Sequence, residues 1–224
     1  MSQNTNKKLW PVIVYFDLET TGTDTKTARI VEIACQVEGE FYPPVASKVS
    51  EEFSEFVNPG IPIPPEASKH NHITDEMVSS AATTKSVLEV FFAHLSSWHR
   101  LYYNADIVLV AHNAFRYDAR VLYEECNRYA VKIPSFVYIA DTFWSHAAVY
   151  PEYKGGNSLA TLGRYYRVLK GRQPHRALGD IKLLQAVCLA GILKMNLFLE
   201  LIETRKHLAT GMFEVTRPVI KYND

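Results

Sequence analysis

Cysteine is scarce. Cys35, Cys126 and Cys188 are the only three in 224 residues, they are widely spaced in apolar stretches, and an odd number cannot close into a full disulfide set. A disulfide-built scaffold is excluded, and buried thiols in a reducing intracellular compartment are expected. Long apolar runs are also missing. Ala186 to Leu193 stops at Lys194, far short of the roughly 18 residues that span a bilayer, so no transmembrane segment and no membrane partner are expected. Met1 to Lys8 is polar and lacks the apolar core of a secretory signal, so nothing argues for export. No Pro/Gly/Ser-rich linker, internal repeat or low-complexity tract interrupts the chain. Zinc-type Cys/His spacing, a Walker loop and a nucleophile elbow are absent too. With 47% apolar residues, the composition excludes disorder, collagen and coiled coil, and the length suits one α/β domain with a large core.

Net charge is zero, 24 basic against 24 acidic side chains, but the charges are unevenly placed. Glu32 to Glu76 holds nine acids against Lys48 and Lys69. Tyr153 to Gly179 has no acid, and there Lys154, Arg164, Arg167, Lys170, Arg172 and Arg176 are interleaved with Tyr165 and Tyr166. Such a segment could track phosphates and stack bases, or be a solvated helix face and loop. Val12 to Phe16, Arg29 to Val37 and Phe53 to Val57 read as three strands in an antiparallel meander. Helix-like Lys85 to Leu101, strand-like Ile107 to Ala111, helical Tyr117 to Tyr129 and strand-like Val137 to Ala140 then alternate, which implies parallel crossovers. Further helices are expected from Ser158 to Tyr166, from about Ala177 to Leu193, and near Leu197 to Leu208. The expected architecture is α/β, a mixed sheet of about five strands flanked by helices.

Asp17 and Glu19 stand two apart at the end of the first strand, so both point to one face. Two carboxylates on a buried strand are costly unless a cation neutralises them, and hard oxygen donors suit magnesium or manganese. Asp118 follows the strand Ile107 to Ala111 and the turn His112-Asn113, near a helix start, where a first-turn acid favoured by the helix dipole is the simpler alternative. His175 and Asp180 can face one site only if His175 precedes the helix, and Pro174 favours that break. Jointly, four carboxylates at the ends of different elements plus one histidine form the set needed for two-metal phosphodiester hydrolysis, with histidine as general base. Arg116 and Tyr117 directly precede Asp118, where the arginine could meet a phosphate and the tyrosine could pack on a nucleotide. Asp141, at the end of Val137 to Ala140, is read as a supporting residue, and Trp10, Trp98 and Trp144 as packing residues.

These segments resemble the three motifs of the DEDDh (DnaQ-like) 3′-5′ exonucleases: Phe16-Asp17-Leu18-Glu19-Thr20-Thr21-Gly22, Val110-Ala111-His112-Asn113-Ala114 leading to Asp118, and His175-Arg176-Ala177-Leu178-Gly179-Asp180. Phe56-Val57-Asn58-Pro59-Gly60 and Ile73-Thr74-Asp75-Glu76-Met77 resemble the connecting segments. The spacing to Arg116-Tyr117-Asp118 is similar to that of TREX-type members. Ala114 and Phe115, however, stand where that branch usually carries a glycine and an acid, and Asn71-His72 precedes Ile73 where proofreading-type members carry histidine-glycine.

The resemblance implies a ribonuclease-H-like fold and release of nucleoside 5′-monophosphates from a 3′ end, with DNA favoured over RNA. It implies two Mg2+ ions, replaceable by Mn2+, held by Asp17, Glu19, Asp118 and Asp180, with His175 as general base. It also implies substrate contacts from Leu18, Thr20, Thr23, Ile73, His112, Asn113, Arg116 and Tyr117. The TREX likeness allows a homodimer. A single exonuclease domain over 1–224 is expected, with a motif-bearing core at 12–193 and a C-terminal helical extension at 194–224. An exoribonuclease of the same fold and a catalytically silent nucleic-acid-binding module remain the alternatives.

Overall fold

A computed structural model describes residues 11–37, 51–149, 155–169, 176–192 and 204–214. Its centre is a six-stranded mixed sheet in the order β3-β2-β1-β4-β5-β6. The β-branched and aromatic residues of β1 (Val12–Thr20) pair antiparallel with β2 (Ile30–Val37), which pairs antiparallel with β3 (Glu52–Phe56). On its other side β1 runs parallel to β4 (Ile107–Ala111), and β4 runs parallel to β5 (Val137–Asp141). The expected meander and crossovers are both present.

Period-two alternation along β1 supplies two separate layers. Val12, Val14, Phe16 and Leu18 join the larger core, beneath α3 (Thr84–Leu101) and α4 (Asp118–Arg128). There Phe91 packs against Phe16 and Phe53 at centroid distances of 5.7 and 5.8 Å. Ile13 and Tyr15 face the other way and meet Ala177, Ile181, Leu184 and Cys188, one stripe of α7 (Ala177–Ile192). Asp17 and Glu19 continue the Ile13–Tyr15 row, and Asp180 lies in the same α7 stripe, three residues past Ala177 and four before Leu184. The apolar register of one strand and one helix thereby brings three acids together.

Between β3 and α3 the chain forms α1 (Pro65–Asn71) and α2 (Asp75–Val78). The Thr74 hydroxyl accepts the Met77 N–H at the start of α2, and Thr83 accepts the Ser86 N–H at the start of α3. Beyond β5 come α5 (Thr142–Val149) and α6 (Leu159–Tyr165), the latter capped by Ser158 accepting the Thr161 N–H. All three cysteines are free and buried, and burial pushes the Cys126 thiol up to about 12. Among the described residues no helix is long and apolar enough to cross a membrane.

The chain end differs from expectation. Where a helix was expected through Leu208, Lys206–His207 form a short strand β6, antiparallel to β5, followed by a 3-10 turn at Leu208–Thr210. The reason lies across the sheet: β5 offers an open hydrogen-bonding edge, the His207 ring stands edge-on to Tyr138, and Leu208 is buried in the main core. Tertiary pairing overrides the local helical pattern. The rest of the expected helical extension, 194–203 and 215–224, falls outside the described residues.

Candidate active site

β1 carries Asp17 and Glu19 beside the carboxyl end of β4, and the crevice there is a cavity of about 710 Å³. Its lining includes Asp17, Glu19, Asp118 and Asp180. Carboxylate oxygens of Asp17, Glu19 and Asp180 lie within 4.8 Å of one another, a donor set that fits a hard divalent cation. Asp118 stands outside that triplet, on the first turn of α4, yet after burial it is the largest influence raising Asp17.

Electrostatics mark the cluster. Burial, then Asp118, Glu19 and Asp180, holds the Asp17 carboxyl well above the usual carboxylate range. Burial and the acids Asp180, Glu32 and Asp118 push Glu19 up to about 8, against a lowering pull from Arg176. Asp118 is raised to about 7 by burial, partly offset by hydrogen bonds from its own N–H and that of Leu18. Like charges at this spacing are relieved by protons or by a cation.

Asp141 organises the loop that leads into α4. Its Oδ1 accepts the N–H groups of Asn113 and Phe143 at 2.8 and 2.9 Å, and its Oδ2 accepts that of Phe115 at 2.9 Å. Those bonds hold Asn113 at φ 63°, a left-handed conformation that asparagine tolerates better than most residues. His112 is half-buried with both ring nitrogens engaged, Nε2 with the Asn157 carbonyl at 2.6 Å and Nδ1 with Thr142 Oγ1 at 2.8 Å. Burial lowers its pKa to about 4, so the ring is neutral, and Nε2–H donates to the Asn157 carbonyl.

Residues 14–188 match the RNase T exonuclease family. The chain belongs to that family. It is 32% identical over 212 residues to Exonuclease DPD1, chloroplastic/mitochondrial, of Arabidopsis thaliana, across 92% of its own length and 63% of the plant protein. It is 31% identical over 136 residues to DNA polymerase III subunit epsilon of Treponema pallidum, across 61% of its own length and 55% of that subunit. It therefore spans less than two thirds of either relative. Among solved structures, Exonuclease X in complex with 5′ overhanging duplex DNA superposes with a TM-score of 0.56 at 25% identity, covering 82% of this chain and 92% of that one. The ribonuclease-H-like expectation stands, with six strands in place of about five.

The expected substrate contacts divide. Leu18, Thr20, Thr23, His112, Asn113 and Tyr117 line the cavity. Tyr117 is also tied down, its hydroxyl donating to the Gly22 carbonyl and meeting Thr20 Oγ1, so it braces the end of β1 against the start of α4. Ile73 is not among the lining residues: it has no exposed surface and packs with Val31, Ile63 and Val78 beneath α1 and α2. Arg116 does not line the cavity; its guanidinium lies over the rings of Trp144 and Phe143, at 4.8 and 5.7 Å from their centroids.

In the basic stretch, Tyr166 packs against Leu162, Leu183 and Val187 instead of facing solvent. Arg176 forms a two-pronged ion pair with Glu32. His175, Lys154, Lys170 and Arg172 lie outside the described residues.

Two features were missed in the sequence. Pro64, Glu66, Ala67, His70 and Asn71 form a wall of the cavity from α1. Buried Asn71 hooks that wall to β1, donating Nδ2–H to the Thr20 carbonyl at 3.2 Å while its Oδ1 accepts the Ile73 N–H at 3.0 Å. The only sequence signal was Asn71-His72 ahead of Ile73. The other missed feature is Glu32, the one acid in a strand whose other residues are apolar apart from Gln36.

Proposed function

We propose that this exonuclease is a DEDDh-type enzyme that hydrolyses DNA from the 3′ end and releases nucleoside 5′-monophosphates. The observation that carries the reading is the convergence of Asp17, Glu19 and Asp180 within 4.8 Å, with Asp118 alongside, in a cavity of nucleotide size. Asp17, Glu19, Asp118 and Asp180 would hold two divalent cations, Mg2+ or Mn2+. When bound, such ions offset phosphate charge and stabilise the attacking and leaving oxygens. His175 directly precedes Arg176, at the entry to α7, and its imidazole would take a proton from the attacking water. The water oxygen bonds to phosphorus and the bond to the preceding nucleotide's O3′ breaks, leaving a new 3′-hydroxyl and a free 5′-monophosphate. Leu18, Thr23 and Tyr117 would enclose the terminal base and sugar without reading sequence.

DNA is favoured as substrate because the superposed Exonuclease X is a complex with duplex DNA. Digestion of end-labelled single-stranded and duplex DNA, and of matched RNA, with magnesium, manganese, calcium or chelator tests the reading. Expected are mononucleotide products from the 3′ end, dependence on magnesium or manganese, a block by a 3′-phosphate, and resistance of closed circles. Cleavage of circles would show an endonuclease, and preferential RNA digestion would move the substrate to RNA. His175→Ala should lose about 10²- to 10⁴-fold in turnover while still binding cation. Unchanged turnover in that variant would remove His175 from the mechanism.

A further inference from the structure

Glu32 lies on β2 directly across from Glu19 on β1, and only 3% of it is exposed. An acid in that position is a natural competitor for any cation held by Glu19. Its oxygens are turned instead to the start of α7. Oε2 accepts Arg176 Nε–H at 3.1 Å and the Ala177 N–H at 3.0 Å, and Oε1 accepts Arg176 Nη2–H at 2.7 Å. The guanidinium is backed by the Phe56 ring, 5.1 Å from its centroid. The Arg176 carbonyl in turn accepts the Asp180 N–H at 3.0 Å, the bond that closes the first turn of α7 on a member of the acid cluster.

We propose that Glu32 and Arg176 are positioning residues that form a charge-neutral latch. The latch withholds Glu32 from the acid cluster and sets the start of α7, and with it Asp180, against Asp17 and Glu19. This rests on the reading of the cluster as a cation site. A planar, two-pronged arginine suits the task because it neutralises the carboxylate and fixes its orientation together.

Cutting the latch at either end has opposite electrostatic results and the same mechanical one. Glu32→Gln leaves an unbalanced guanidinium near Glu19, whereas Arg176→Met releases an unbalanced carboxylate there. The test measures Mn2+ affinity by calorimetry on chelator-stripped full-length protein, amide hydrogen exchange over Ala177–Asp180, and kcat and KM on a labelled oligonucleotide. Outer residues that orient cation ligands typically change affinity or activity by about 10- to 100-fold when altered. Both variants should exchange faster at Ala177 and lose kcat in that range, with KM nearly unchanged. Mn2+ affinity should fall in Glu32→Gln and rise in Arg176→Met. Arg176→Lys, which restores charge without the fork, should return affinity towards wild type and leave exchange fast.

Affinity shifts in the same direction in both variants would overturn the latch, as would unchanged exchange at Ala177. A raised KM with unchanged kcat in the arginine variants would also overturn it, by placing Arg176 on substrate phosphate. Wild-type protein that binds no Mn2+ would be a failure of the cation reading itself. Exchange in Glu32→Gln would then still decide whether the pair sets the start of α7.

Discussion

Replacing Asp17 by asparagine should make the cation-free protein more stable while removing its activity. With carboxylate oxygens within 4.8 Å of one another, a like-charge pair repels by about 3.5 kcal/mol or more at an effective dielectric constant near 20. Asp17 takes part in two such pairs and also feels Asp118. Protons relieve part of this, and the sign follows from the raised pKa values. Glu19 titrates at about 8 when folded and near 4.3 when unfolded, so between those values the folded state binds more protons. Stability of the cation-free protein therefore falls as pH rises from about 4.5 to 8, and the loss is complete above that.

At pH 9, above the value at which Glu19 titrates, the repulsion on Asp17 is stronger than at pH 5, and Asp17→Asn should gain about 3 kcal/mol, or about 6 to 12 °C in melting temperature. At pH 5 Glu19 and Asp118, which titrate at about 8 and about 7, are largely protonated, and the gain should shrink to about 1 kcal/mol or less. Thermal unfolding in chelator at both pH values measures the difference, and added Mg2+ should reverse the ranking at pH 9 by stabilising wild type more. A variant no more stable than wild type at pH 9, or equally shifted at both pH values, would refute the electrostatic account.

Tyr117→Phe removes the hydroxyl that braces Gly22 and Thr20 against α4 and should cost about 1 to 2 kcal/mol in urea unfolding, with a fall in kcat. Ile73→Ala should lose about 2 to 5 kcal/mol of stability through its cavity, while KM on oligonucleotides stays at the wild-type value because the side chain lies outside the site. His112 should show flat imidazole chemical shifts between pH 5 and 8, since burial holds its folded pKa at about 4. As pH falls from about 6.5 towards 4 the unfolded state alone takes up that proton, so His112 costs stability on the acid side; titration inside the pH 5 to 8 window would contradict its doubly engaged geometry.

Much of the site was legible because it follows short-range rules. Two acids at strand period two must share a face, and Asp118 and Asp180 each stand at a helix start after a recognisable break. Asp141 was legible as a supporting acid from its place at a strand end, although the three amides that it accepts could be known only from the folded loop. What stayed hidden depends on register between distant segments. Glu32 and Arg176 are 144 positions apart, and neither residue has a local pattern that announces the other. The burial of Ile73 among Val31, Ile63 and Val78 also depends on how α1 and α2 fold back, which its motif does not encode. The strand at Lys206–His207 likewise answers to the open edge of β5, which no periodicity within those residues encodes.

The alternation along β1 makes chemistry hostage to counting. A single residue inserted after Phe16 would leave β1 as long and as apolar, and its first half could keep its ladders to β2 and β4. Every later side chain, however, would change sides. Asp17 and Glu19 would then project into the layer of Phe91 and Leu122, while Leu18 would be offered to Asp180. Such a chain would have to bury two acids in hydrocarbon or abandon the strand. Frame-preserving changes of odd length in β1 are thus barred by the energetics of misregistry before selection on activity acts. The loop between β1 and β2 carries no comparable constraint on parity.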